Sequence, residues 1–521
     1  MRVLFVYPNN MGYTRIPPGI SILVSILKKN GHEVKVFDTS FYKLFSENDD
    51  DIRTKTHQVR FADLNQYGVT YQAASVQDVL ADCTRVIKGF NPDLIAFSVM
   101  TEDCADFSQF LAAGIRKAYP KMPFIFGGIA VTMSPEEYIA HPFVDVINIG
   151  EGEDSLLEFI TKSEKEEDIS GIKNMWIKRD GQIIKNEVRP LKDLNEIPIP
   201  DFDEFSEKHF YRPIDGVVYR MAMVEFTRGC PRRCTYCNNH VLQNLYQGKG
   251  AYIRRKSIER VMQEMEFLKK KHNLTMIFFV DDDFTLLPLE EMREFTDQYK
   301  ERIGLPFVIQ VAAPTISREK VVLLRDAGCV TFCMSIESGN DFIKNKVFDR
   351  YISNDQLVKA FATIKAEGVR VSSTNIIGNP FETRKMVFDT IEMNKKTQPD
   401  GLSNCFLVPY KGTRIREMAL KEKFIRSDMK LGHGTRGEPI LDMPQISKNE
   451  LKALQKMFPF YVRLPRVFFP VIRFCEKDNI FSGWVLKILS LWLASIEESI
   501  RNKRLKRYNM FMKHSPSSLN G

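Results

Sequence analysis

Three cysteines, Cys230, Cys234 and Cys237, fall within the eight-residue segment Cys-Pro-Arg-Arg-Cys-Thr-Tyr-Cys. Thiols this dense and evenly spaced read as ligands for a soft metal. Structural zinc takes four ligands and commonly a second cysteine pair, and no such pair lies nearby; His240 is close enough in sequence to complete a Cys3His set. Three thiolates alone suit a 4Fe–4S cluster with one iron left open to a small-molecule chelate. The six other cysteines (Cys83, Cys104, Cys329, Cys333, Cys405 and Cys475) share no ligand spacing with the triplet and read as packing. An odd count of nine, three of them clustered, argues against a disulfide scaffold and for a reducing, cytoplasmic setting.

Further polar and glycine-bearing segments follow apolar runs in the same half of the chain: Asp281-Asp282-Asp283, Ser335-Ile336-Glu337-Ser338-Gly339, Ile376-Ile377-Gly378-Asn379-Pro380 and Pro409-Tyr410-Lys411-Gly412-Thr413. Carboxylates or carbonyls at the first complement a cation, and Ser335 and Glu337 can accept from hydroxyls. Gly378 permits a close approach. The plain alternative for each is a strand-to-loop cap.

Positioning such segments requires elements that end together. From residue 221 apolar strands expected at 224–227, 276–280, 307–311, 331–336, 371–377 and 402–408 alternate with helical patterns near 257–270, 289–300, 317–327, 354–367 and 384–396. Six βα units are too few for a closed eight-fold barrel and fit a partial (βα)6 TIM-like barrel over residues 216–440, with chemistry at the C-terminal strand ends. Residues 1–160 also alternate, with strands at 3–7, 34–38, 94–99, 124–126 and 144–149 and helices at 19–29, 108–118 and 154–161. Short, nearly all-apolar strands between helices imply an α/β, doubly wound, Rossmann-like parallel sheet. Its strand ends collect Pro8, Gly12, Pro17 to Gly19, Gly127-Gly128 and Gly150 to Glu153, where such sheets bind ligands. The polar insertion 41–72, containing Asp49-Asp50-Asp51, reads as a solvated excursion or as a lid. Residues 161–215 form a connector with a hairpin turning at Arg179-Asp180-Gly181-Gln182. Residues 441–521 are helical, aromatic and basic.

The chain has 521 residues, 74 Lys and Arg against 66 Asp and Glu, and a net charge of +8. Arg501, Lys503, Arg504, Lys506, Arg507 and Lys513 supply six of those charges without an intervening acid, leaving +2 for the rest. The excess is therefore terminal, and a nucleic-acid-binding face is not expected. No signal-peptide pattern opens the chain, and no run of eighteen apolar residues occurs. Trp484, Ile488, Leu491, Trp492 and Ser495 recur at helical spacing before the basic run. Packing over the barrel mouth and an interfacial amphipathic helix giving peripheral membrane contact are both open readings. The aromatic segments Phe458 to Tyr461 and Phe468-Phe469 look exposed with Trp484 and Trp492.

The cysteine loop, with Tyr236 before its third cysteine, resembles that of the radical SAM superfamily, and the other motifs follow in family order. The resemblance implies that Cys230, Cys234 and Cys237 carry a 4Fe–4S cluster and that its open iron binds S-adenosylmethionine. It implies reductive cleavage to a 5′-deoxyadenosyl radical, with S-adenosylmethionine contacts at Tyr236, Asp281, Asp282, Ser335, Glu337 and Gly378. Residues 1–160 resemble the cobalamin-binding domain of one radical SAM subgroup, through Pro17-Pro18-Gly19-Ile20, Pro92-Asp93-Leu94-Ile95, Gly127-Gly128 with Thr132, and Gly150-Glu151-Gly152-Glu153. The implied cobalamin contacts are Pro18, Gly19, Ser98, Gly127, Gly128, Thr132, Gly150 and Glu151. None of the eight histidines sits in the Asp-x-His-x-x-Gly context, so the implied cobalamin is base-off without a protein His on cobalt.

Such a protein is expected to methylate an unactivated carbon of a small-molecule or lipid-like substrate, with an electron donor such as flavodoxin or ferredoxin. Alternatives are cyclisation, oxidation or rearrangement without methyl transfer, and a non-enzymatic cobalamin sensor or adaptor. A methylthio-transferring relative needs three cysteines in the N-terminal domain, where Cys83 and Cys104 alone occur.

Overall fold

The computed structural model describes all residues except 10–14, 46, 48, 430, 432, 433, 478 and 514–521. Gly12 lies outside the described residues, as does the side chain of Lys513.

The first sheet contains β1 (Arg2–Tyr7), β2 (Glu33–Asp38), β3 (Leu94–Ser98), β4 (Phe124–Gly127) and β5 (Val146–Asn148), all parallel, then the antiparallel β6 (Met175–Arg179) and β7 (Gln182–Lys185). Its order is β2-β1-β3-β4-β5-β6-β7. The hairpin expected as part of a connector thus extends this sheet. In β1 the alternation divides two cores: Val3, Phe5 and Tyr7 join one apolar cluster, and Leu4 and Val6 the other. Covering both faces removes every β1 side chain after Arg2 from water, each worth roughly 1.5–3 kcal/mol. A helix not anticipated from the sequence, Val76–Phe90, covers one face through Val79, Cys83 and Ile87 and starts at a Ser75–Asp78 capping box.

The second sheet runs β8 (Tyr211–Ile214), β9 (Val217–Val224), β10 (Met276–Phe279), β11 (Phe307–Val311), β12 (Cys329–Glu337), β13 (Arg370–Ile377) and β14 (Gly401–Phe406), in that spatial order. The six strands from β9 are parallel, and β8 pairs antiparallel with β9. The strand expected at 224–227 starts earlier, because Asp215 and Gly216, both at positive φ, turn β8 tightly into β9. Four outer helices begin at Ser257, Ser317, Ser353 and Thr383, whose hydroxyls accept N–H groups of the first turn.

An open barrel leaves two edges, β8 and β14, and unpaired edge groups need partners. The insertion 41–72 reaches both edges. Gln58 accepts the backbone N–H of Asn404 in β14, while Tyr67 stacks on Tyr211 of β8 with ring centroids 5.1 Å apart. His57 meets Phe460 edge-on at 5.3 Å, and Arg60 pairs with Asp215 and Glu498.

Phe458, Phe460 and Tyr461 are buried in the helix Lys448–Arg463, correcting the expectation that they are exposed. Tyr461 meets Phe388 of the helix Arg384–Thr397 edge-on, with ring centroids 4.9 Å apart. The last helix, Ile480–Lys513, does not cap the barrel mouth. Its basic part meets Asp215 through Arg501 and Arg504, and Arg504 also meets Asp400. Both acids precede strands, so the helix is drawn to the end of the barrel opposite the cysteine loop.

Candidate functional site

The cysteine loop leaves the C-terminal end of β9. Thr227–Arg228 pairs antiparallel with Arg254–Arg255, and Gly229 follows at φ +105°, where a Cβ would lie 2.5 Å from the Tyr252 carbonyl oxygen. Only glycine passes there. The Thr235 amide donates to Phe348 O at 2.9 Å and its hydroxyl to Val347 O at 2.6 Å, pinning the loop centre to the barrel. Gln243 donates to the carbonyls of Cys230 and Arg232 and holds the loop start.

Burial raises the Cys230 thiol above its ordinary value and pushes Cys237 up to about 11, so these thiols are protonated until a cation draws the proton off. The amide and side-chain N–H groups of Asn239 both donate to Cys237 Sγ at 3.5 Å, which suits a thiolate. His240 takes no part: Nδ1 donates to Cys234 O at 3.1 Å, and Nε2 accepts the Arg414 N–H at 3.4 Å. Among the described residues no three His, Cys, Asp or Glu side chains converge tightly enough to share one ion. A Cys3His zinc site is therefore not built here.

Around the loop, the strand ends of β10, β12 and β13 bring Asp281, Asp282, Tyr236, Ser335, Glu337 and Gly378 to one end of the barrel. Asp281 accepts the Thr227 N–H through one oxygen, and its other oxygen is buried without a partner; burial raises its carboxyl to about 7. Asp282 accepts from Asn239 at 3.2 Å, and burial raises it too. Glu337 sits at φ +65° beside a register shift in β12. Its Oε1 accepts from the Tyr236 hydroxyl at 3.2 Å and its buried Oε2 has no partner. Burial raises its carboxyl, against the pull of Arg350. Such unsatisfied acceptors cost stability unless a ligand's donors reach them. They fit the ammonium and hydroxyl groups of S-adenosylmethionine.

Two residues essential to this geometry have no motif signal. Arg350 donates to the Ser335 carbonyl at 3.0 Å and to the Tyr236 hydroxyl at 3.4 Å, joining β12 to the cysteine loop. Glu382 accepts the N–H groups of Gly378 and Asn379 at 2.6 and 3.1 Å, shaping the loop after β13.

In the first domain Pro18, Gly19, Ser98, Gly127, Gly128, Thr132, Gly150 and Glu151 all follow or end parallel strands. A Cβ on Gly19 would meet nothing within 4 Å, leaving room beside the strand ends. Gly128 lies at φ +99° against Val99, and Thr132 bridges the Gly128 carbonyl and the Gly150 N–H. The Glu151 carboxylate, by contrast, is engaged by Arg228 and Arg254 of the barrel. Burial pushes the Glu151 carboxyl up, and these pairs outweigh it, holding the carboxyl below its ordinary value. The loop after β14 closes the other side: Tyr410 donates to Asp103 at 2.9 Å, the Lys411 N–H to Glu102 at 2.8 Å, and Gly412 lies against Met133 O. The C-terminal strand ends of the two sheets therefore face each other.

Residues 224–393 match the Radical SAM superfamily model, and residues 52–160 match the B12 binding domain model. An uncharacterized methyltransferase of Pyrococcus horikoshii is 29% identical over 392 residues, 74% of this chain and 82% of the relative. An anaerobic magnesium-protoporphyrin IX monomethyl ester cyclase of Rubrivivax gelatinosus is 23% identical over 79% of this chain and 68% of its own length. The structure of the radical S-adenosylmethionine methyltransferase TsrM from Kitasatospora setae, with cobalamin and a [4Fe-4S] cluster bound, superposes with a TM-score of 0.59 at 16% identity, covering 96% of this chain and 99% of that one. With the cysteine loop on the barrel and the glycine-rich strand ends opposite, the chain belongs to the cobalamin-binding radical SAM enzymes, whose cofactors are a 4Fe–4S cluster, S-adenosylmethionine and cobalamin.

Proposed function

We propose that this protein is a cobalamin-dependent C-methyltransferase acting on an unactivated carbon of a small-molecule or lipid-like substrate. The observation that carries the reading is the apposition of the two sets of strand ends, braced by Tyr410 with Asp103 and by Glu151 with Arg228 and Arg254. A substrate held between them meets both cofactor sites without release, and the closed interface excludes water. When bound, the cluster with S-adenosylmethionine supplies hydrogen-atom abstraction, and cobalamin supplies a transferable methyl group.

The chain's own residues do the rest. Cys230, Cys234 and Cys237 hold the cluster, leaving one iron for S-adenosylmethionine. Asp281, Asp282 and Glu337 accept from the ammonium and hydroxyl groups, with Tyr236 and Arg350 fixing Glu337. Ser335 and the Gly378 loop border the same ligand. Pro18, Gly19, Ser98, Gly127, Gly128, Thr132 and Gly150 form the cobalamin crevice. Glu151 contributes by bracing the barrel, and a cobalamin bound here would receive no imidazole from an Asp-x-His-x-x-Gly loop, which the chain lacks. Electrons come from a donor of the flavodoxin or ferredoxin class.

A second reading, cyclisation or oxidation with the same cofactors and no methyl transfer, draws on the relative named as a cyclase. Anaerobic reconstitution with iron, sulfide and cobalamin, followed by assays for 5′-deoxyadenosine and product mass, tests both. A gain of one methyl group supports methyl transfer; product formation without it selects the second reading.

A further inference from the structure

The helix Ile480–Lys513 has two unlike halves. Its later part is tied to the barrel through Arg501, Arg504 and Arg507, the last donating to Lys365 O at 2.9 Å. Its first part buries Leu489 and Leu493 but turns Phe481, Trp484, Ile488 and Leu491 outward, 78%, 69%, 54% and 73% exposed. Steps of three and four residues align these side chains in one stripe. Val467 and Phe474, from the neighbouring turn and the helix Phe469–Cys475, continue the apolar surface.

Among the described residues, exposed cations accompany this face. Arg473, Lys477 and Lys487 have no carboxylate partner among the described residues. The Lys487 ammonium lies 5.6 Å from the Trp484 ring centroid. Glu476, the acid described on this segment, turns inward to Arg384 and Tyr461. Apolar side chains flanked by tryptophan and unpaired cations complement the acyl boundary and headgroups of an anionic bilayer.

We propose that this face docks the enzyme on an anionic membrane surface, with the helix lying in the headgroup plane. The segment Ile480–Tyr508 is long and apolar enough to span a bilayer by length and composition. Spanning would pull the buried Leu489 and Leu493 out of the protein core and carry Lys487 into hydrocarbon, which favours lying over crossing. The long stems of Lys477 and Lys487 reach the phosphate level while the stripe inserts.

The test uses the full-length protein and vesicles of phosphatidylcholine with phosphatidylglycerol. Co-sedimentation is expected at low salt, weakening about fivefold for each of Lys477→Gln and Lys487→Gln. The double substitution Trp484→Glu with Leu491→Glu abolishes it and leaves the melting temperature unchanged, since both side chains are exposed. Absence of pelleting at low salt overturns the proposal, as does pelleting that survives the double substitution. Concentration-dependent self-association that this substitution removes, without vesicle binding, overturns it in favour of a second copy of the chain.

Discussion

The side-chain carbonyl of Gln58 accepts the backbone N–H of Asn404 at 3.0 Å, so an insertion in the first domain satisfies the edge strand of the second. Both residues are buried, and the amide would otherwise lack an acceptor away from water. Gln58→Ala is expected to cost about 1–3 kcal/mol, the penalty of an unsatisfied buried donor. Urea unfolding monitors it; an unchanged midpoint would show that water replaces Gln58.

The hydroxyl of Tyr246, just after the helix that follows the cysteine loop, accepts the Glu151 N–H at 2.7 Å. A Cβ at Gly150 would lie 2.0 Å from the same oxygen, at a φ of +72° that disfavours any side chain. Tyr246→Phe should cost about 1 kcal/mol through the lost hydrogen bond, and Gly150→Ala more, through strain and the collision. The two effects should be non-additive, because they share one contact. Thermal unfolding of the single and double variants measures both.

Burial raises the Glu382 carboxyl to about 7 from an ordinary value of 4.5. Between those values the folded protein binds the proton more tightly than the unfolded chain. The contribution of Glu382 is thus fully present below about pH 4.5, falls as pH rises toward 7, and is level above it. The loss amounts to at most about 3 kcal/mol. Glu382→Gln should flatten this part of the stability profile between pH 5 and 7, read by chemical denaturation at fixed ionic strength. A slope that persists in the variant assigns the effect elsewhere.

Cys230→Ala, Cys234→Ala and Cys237→Ala should each lose the visible absorption of the reconstituted cluster and all formation of 5′-deoxyadenosine. His240→Gln should retain the iron, because both ring nitrogens of His240 are occupied by backbone groups. Iron chelation from the wild type should lower its melting temperature, since ligand binding and folding share free energy. Retained activity in any cysteine variant would refute the assignment.

Much of the molecule was legible in local patterns. The helical patterns near 257–270, 317–327, 354–367 and 384–396 announce the outer helices, and the uniformly apolar runs at Leu94 and Phe124 announce strands covered on both faces. Local pattern misjudged residues whose environment is distant. Phe460 and Tyr461 looked exposed beside basic residues, yet both are buried in the helix Lys448–Arg463. The Val76–Phe90 helix went unread because its apolar stripe, Val79, Cys83 and Ile87, is thin and interleaved with polar residues.

By itself the sequence determined the chemistry: three thiols at fixed spacing, and acidic and glycine-bearing ends on successive strands of a parallel sheet. Strand alternation is a short-range property, and cysteine spacing is covalent, so both survive without a fold. Tertiary structure decided which oxygens of Asp281 and Glu337 are left unpartnered, and that Arg350, Tyr246 and Glu382 set the geometry. It also decided that Glu151 braces the barrel and that the basic terminus seeks Asp215. Most of these are meetings of residues tens to hundreds of positions apart, and contacts closed by packing leave no period in the chain for a sequence reading to find.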